Sequence, residues 1–246
     1  MIGGLSLRVR SVAECVDLGL AILRADRKLI WRSLRGWFLL LTPLVLLGWW
    51  LHPLLGLALA LGGGSLLQVP LLHIAAARAA GTAAKLDLRS ILGAMFRVVR
   101  VGLLPGLASF ALLIFPPGAL WMWSRYTFLP EVLLVEEMKS GWTRRLQQLG
   151  DRVAGRSLSA RFWQLSLVAY GALSGELVGQ AVVDELFQMG TPYGSLMDGD
   201  LTPFPCLGIL YTLPIWGLIR FALYLDLRTR SESLDVFFSL WQASSR

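Results

Sequence analysis

Between Leu201 and Leu225 the chain runs through a stretch in which Arg220 is the only charged residue, and it then enters a dense alternation of Asp226, Arg228, Arg230, Glu232 and Asp235. A helix needs roughly 20 predominantly apolar residues to cross a bilayer. Charges this closely spaced are tolerable only where a span leaves the hydrocarbon, because long arginine stems carry the guanidinium to the headgroups while carboxylates neutralise their neighbours. The stretch therefore predicts a membrane span with an ionic exit. Beyond it, Leu234, Phe237, Phe238 and Trp241 recur at helical spacing behind Ser231 or Ser233 as N-cap, which predicts a surface helix near residues 231–244.

Composition agrees with a membrane protein. Apolar residues make up 55% of the 246 residues and charged ones 16%, against about 45–50% and about 25% in soluble domains; mean hydropathy is +0.61. A net charge of +7 would suggest nucleic acid in a soluble protein. Here the bases gather at the edges of apolar runs, so they are expected to orient the chain and to meet anionic lipid, with no nucleic-acid partner. Cys15, Cys206, His52 and His73 have no metal-ligand spacing, and a disulfide is not expected. The first apolar run follows a charged segment without a cleavage pattern, so no removable signal peptide is expected.

Taken in order, Ser11 and Glu14 form a capping-box pattern, and residues 11–35 read as a basic amphipathic helix at the interface. Spans are predicted near 37–51, 54–77, 101–115, 119–135, 162–183 and 203–225, with further surface helices near 85–100 and 142–158. His52-Pro53 and Pro116-Pro117-Gly118 supply turns. Gly62, Gly63, Gly64 and Pro70 read as packing or kink residues within the second span. Gly171, Gly175 and Gly179 share one helical face, where another backbone can approach closely.

The distribution of charge sets the topology. Residues 8–35, 78–100, 139–161 and 228–246 hold every Lys and Arg except Arg125 and Arg220, while the loop carrying Asp184, Glu185, Asp198 and Asp200 holds no base. Six spans place all four basic stretches on the cytoplasmic side, with both termini there and the acidic loop outside. The expectation is thus an all-α, polytopic membrane helix bundle of about six spans with cytoplasmic amphipathic surface helices, folded as one domain in a bacterial inner membrane.

Several of these parts recur together elsewhere. Ser11 and Glu14 in the first amphipathic helix, Pro130 and Glu136 around an apolar run, Arg145 and Leu149 in a surface helix, and the exit Tyr224, Asp226, Arg228, Arg230, Glu232 and Asp235 resemble a poorly characterised superfamily of prokaryotic polytopic membrane proteins. That superfamily includes the membrane domain attached to some glycerophosphoryl diester phosphodiesterases. Leu146 stands where the family usually has Ser. The resemblance implies a fold more than an activity: the phosphodiesterase barrel would require roughly 250 further residues, and the chain is already taken up by spans and surface helices.

Four ionisable residues fall within apolar runs, namely Arg125, Glu131, Glu176 and Arg220. Leaving one in lipid costs at least ~2.5 kcal/mol, so either arginine is expected to pair with either glutamate, to lock helices together or to line a polar path. In the exit motif, Asp226 with Arg230 and Arg228 with Glu232 stand at i, i+4 spacing, as a clamp ending the span or a docking patch for a partner or a surface helix. No nucleophile–base arrangement, phosphate-binding glycine loop or zinc motif is present, so no catalytic residue, metal ligand or cofactor is expected. The expected role is a non-enzymatic scaffold or accessory subunit that organises protein partners or lipids; the alternative is a small transporter or lipid permease, using Gln68, His73 and the intramembrane charges.

Overall fold

The computed structural model describes residues 10–79, 87–111, 125–136, 141–152, 154–186, 196 and 199–232, and every regular element among them is helical. In chain order these are α1 (Val12–Ala25), α2 (Arg27–Leu51), α3 (Pro53–Leu66), α4 (Gln68–Ala79), α5 (Leu88–Ala111), α6 (Leu129–Leu134), α7 (Trp142–Arg152), α8 (Ala154–Ala181), α9 (Pro203–Thr212) and α10 (Ile215–Glu232). A π-helical turn, Val182–Leu186, follows α8. Four helical runs are long and apolar enough to cross a membrane: Arg27–Leu51, Pro53–Ala79, Ser159–Glu185 and Pro203–Arg230. They are compatible with a multi-pass membrane protein. Of the surface helix expected near 231–244, residues 231 and 232 close α10 and the rest, with Asp235, lies outside the described residues, as do residues 112–115 and 119–124 of two expected spans.

The chain divides into two compact units, one of residues 1–25, 72–162 and 218–246 and the other of residues 26–71 and 163–217. In the first, the capping box closes on itself: Ser11 N–H donates to Glu14 Oε2 at 2.7 Å and Glu14 N–H to Ser11 Oγ at 3.2 Å, which satisfies two of the donors a helix start leaves open. The amphipathic helix expected over 11–35 is in fact interrupted at Asp26, and α2 runs from Arg27 to the end of the first span without a break. Its continuity has a sequence cause: Ile30, Leu34, Phe38, Val45 and Gly48 are buried along one unbroken stripe, so no change of phase marks the passage from basic to apolar residues. A single helix likewise covers Leu88–Ala111, where a surface helix was expected to end near residue 100.

In the second unit α2 and α3 form a tight hairpin. His52 closes α2, its N–H bonding to Gly48 O, and begins α3 by accepting the Leu54 N–H on Nδ1 at 3.2 Å, with Pro53 in the first turn. Gly56 permits the closeness, since a Cβ there would lie 2.7 Å from Trp49 Cα. α9 packs against both helices, and a Cβ on Gly64 would lie 3.0 Å from Leu213 Cβ. The apolar runs holding α3–α4 and α9–α10 are each broken, before Pro70 and at Pro214, where proline has no N–H to offer the preceding turn. Gln68 links the two breaks: its Nε2 donates at 3.3 Å to Leu213 O, which also accepts the Trp216 N–H at 3.1 Å.

The glycine face of α8 meets α9 backbone to backbone. A Cβ on Gly175 would lie 2.8 Å from Gly208 Cα, one on Gly208 would lie 2.8 Å from Gly175 Cα, and Gly179 faces the ring of Phe204. Close approach of this kind replaces the hydrophobic drive that lipid removes. Gly62, by contrast, has nothing within 4 Å of a Cβ. Substitution Gly175→Leu should therefore lower the thermal midpoint of the detergent-solubilised protein, with an overpacking cost of about 1–3 kcal/mol, whereas Gly62→Leu should leave it unchanged or raise it.

Candidate functional site

The polar chemistry of the first unit converges on α10, which carries charge on two faces. Residues 220, 224 and 228 recur every four positions along one of them, and 219, 226 and 230 along another. Facing the first is α6, a short helix entered through Pro130, with Leu129, Glu131, Val132 and Leu133 all buried. Arg220 Nε donates to Glu131 Oε1 at 2.6 Å, and both side chains are almost wholly buried. Arg161, at the start of the third candidate span, lies within electrostatic reach of both. Glu131 Oε2 and Arg220 Nη2 have no hydrogen-bond partner among the described residues.

One turn further along α10, Glu136 gathers three donors. The Tyr224 hydroxyl donates to its Oε1, and Arg145 of α7 holds it in a fork, Nε to Oε2 at 2.9 Å and Nη2 to Oε1 at 3.2 Å. Arg228 Nε lies 3.9 Å from Oε1, with its guanidinium 5.9 Å from the centre of the Tyr224 ring. Forked arginine–carboxylate pairs fix geometry as well as charge. Phe128 closes the site from the side, its ring 6.3 Å from that of Tyr224. The result is an ionic seam joining α6, α7 and α10.

The other face of α10 receives the N-terminal segment. A Cβ on Gly19 would lie 2.9 Å from Ile219 Cα, so α1 and α10 touch closely. Asp226 accepts the Arg10 N–H on Oδ1 at 2.6 Å, while its Oδ2 receives Arg230 Nε at 2.9 Å. Arg230 Nη2 in turn donates to the Arg10 carbonyl at 2.8 Å. The i, i+4 pair thus grips both polar groups of one backbone residue just ahead of the capping box, and Asp226 is fully buried. Glu232 ends the last described helix.

Glu176, in the second unit, has a different role. Its Oε1 accepts from Gln180 Nε2 at 2.6 Å and from Leu196 N–H at 3.0 Å, and its Oε2 accepts from the Thr202 hydroxyl. It ties the acidic loop and the N-cap of α9 to the C-terminal part of α8. Arg125 is half-buried just ahead of α6. Among the described residues no three His, Cys, Asp or Glu side chains gather as a metal site, and Cys15 and Cys206 are buried thiols.

Of the four ionisable residues in apolar runs, the structure brings Glu131 and Arg220 together and gives Glu176 neutral partners. Glu136, Arg145 and Tyr224 are distinguished in the sequence only by the family resemblance, and Arg161 and Thr202 are not distinguished at all. The four-residue period of Arg220, Tyr224 and Arg228 is the local signal that marks one face of α10. Thr202 has no such signal, because only the fold brings it to Glu176.

Changing Glu131→Gln should cost about 3–5 kcal/mol, the usual result of stranding a buried partner. The double change with Arg220→Gln should cost less than the sum of the two single changes, read as a coupling energy from unfolding in mild detergent. Asp226→Ala should free the Arg10 backbone and speed tryptic cleavage after Arg10 several-fold in limited proteolysis. When the chain is compared with known proteins, no family model, curated protein or solved structure matches it.

Proposed function

We propose that the chain is a non-enzymatic, multi-pass protein of the inner (cytoplasmic) membrane, a scaffold or accessory subunit that organises protein partners and lipids. In this reading it has six spans with both termini in the cytoplasm, and its amphipathic helices form a basic collar facing anionic lipid. It is also kin to the superfamily whose members include phosphodiesterase-linked membrane domains. The observation that carries the reading is where the acids go. Glu131, Glu136, Glu176 and Asp226 are all engaged in holding helices, loop or N-terminal segment in place. Acids so engaged serve as locks, whereas a transport path would need them facing an aqueous cavity.

Topology follows from parity. The four long apolar runs cross an even number of times, and adding residues 101–115 and 119–135 keeps the number even. Either way the basic stretches share one side with the termini, and the acidic loop after α8 lies on the other. The two arrangements differ at Pro116-Pro117-Gly118, which six spans expose outside and four do not. A second reading, as a transporter, draws on the unpartnered Glu131 Oε2 and Arg220 Nη2, polar atoms that a solute would satisfy.

With Cys15 and Cys206 changed to alanine, Gly118→Cys should react with an impermeant maleimide from outside the cell, and Ser90→Cys only after permeabilisation. A silent Gly118→Cys reduces the spans to four; a Ser90→Cys that reacts from outside inverts the topology. Native mass spectrometry of the protein in mild detergent should show a stoichiometric polypeptide partner. Turnover of a lipid by the purified protein alone overturns the scaffold reading, and solute flux into proteoliposomes that Glu131→Gln abolishes replaces it with transport.

A further inference from the structure

Along α2, Trp31, Arg35, Phe38 and Thr42 follow one another at three- and four-residue spacing, and with Leu39, Pro43 and Tyr211 of α9 they line an open groove of about 440 Å³. Its walls are aromatic and fixed. The Phe38 ring lies 6.4 Å from Trp31 and 4.7 Å from Tyr211, and the Thr42 and Tyr211 hydroxyls bond to each other at 2.7 Å. With those hydroxyls occupied by each other, the lower groove presents ring faces and methyl groups. Toward the other end, between Trp31 and Phe38, stands the exposed Arg35, closing a segment with Arg27, Lys28 and Arg32 and no acid.

We propose that this groove holds one anionic phospholipid, its phosphate on Arg35 and one acyl chain laid along Phe38, Leu39, Pro43 and Tyr211. The proposal deepens the functional reading and rests on it in one respect: Arg27–Leu51 must cross the membrane with its basic end at the cytoplasmic surface.

Three features select this occupant. Polarity falls along the groove from a cation to hydrocarbon over about 12 Å of helix axis, at ~1.5 Å per residue from Arg35 to Pro43, the order found in an amphiphile and in no small polar solute. The volume lies within the roughly 300–1,000 Å³ of single-ligand sites. The charge is of one sign, so it complements an anionic headgroup and disfavours a zwitterion, whose amine would meet the same bases. Pro43 adds shape: lacking an N–H, it leaves the Leu39 carbonyl at the groove without its helical donor.

The test uses the full chain in nanodiscs of phosphatidylcholine containing a trace of phosphatidylglycerol with a photoreactive acyl chain, the crosslinked residues being mapped by mass spectrometry. Label should concentrate on residues 38–43 and Tyr211, and unlabelled phosphatidylglycerol should suppress it where added phosphatidylcholine does not. Arg35→Gln should lower the labelling about five-fold, the factor one basic residue contributes at an anionic surface, while Arg27→Gln, outside the groove, leaves it unchanged. Leu39→Trp, which fills the groove from a side chain 78% exposed, should remove the label without disturbing the core. Label spread evenly over the spans, or an Arg35→Gln effect no larger than that of Arg27→Gln, overturns the site while leaving the membrane reading intact. Label on none of the spans overturns both.

Discussion

An arginine in the middle of an apolar helix must have an acid beside it, and much of the first unit follows from meeting that demand at Arg220. The only way to bring a carboxylate there is to bury a second segment against α10. The short α6 does this, entering through Pro130 and presenting Glu131 at 2.6 Å. Having come so close, the same segment delivers Glu136 one turn along, where Tyr224, Arg228 and Arg145 take it up. The opposite face of α10 repeats the strategy with the signs exchanged, Asp226 and Arg230 gripping the N-terminal backbone at Arg10. A hydrogen-bonded charge pair in low dielectric is strong but costly to desolvate, so it contributes more to a single arrangement than to net stability.

The second unit is held by different means. Its helices meet through glycines, which let α8 and α9 approach until backbone touches backbone, and dispersion grows with each tenth of an ångström gained. Polar side chains tie its segments together, Gln68 donating to the Leu213 carbonyl and Glu176 holding the loop ahead of α9.

Both strategies leave ionisable side chains in structural work, and the surfaces left over are of two kinds. One is basic and amphipathic. The other is the apolar wall of α2, where Leu39, Leu40, Leu44 and Leu47 are exposed and the aromatic groove opens beside them. The described acids therefore report chiefly on how the helices are held together.

The helical class, the long apolar runs, the capping box at Ser11, the turn at His52-Pro53 and the shared face of the three glycines were all legible in the sequence, because each depends on residues within a few positions of one another and on one period, 3.6. The i, i+4 pairing of Asp226 with Arg230 was legible for the same reason. Where helices end was less so: the break at Asp26 and the unbroken run through residue 36 depend on which stripe of α2 is buried, and a charged first turn looks the same on a surface helix as on a span. What only the tertiary structure decided is which partner each charge meets. Glu131 could have met either arginine by sequence and met Arg220; Glu176 met Thr202, Gln180 and a backbone amide instead. Glu136, unremarkable among the charges that follow its apolar run, became the meeting point of Tyr224, Arg145 and Arg228. Partners 88 and 89 positions apart are brought together by packing alone, and no local spacing encodes them.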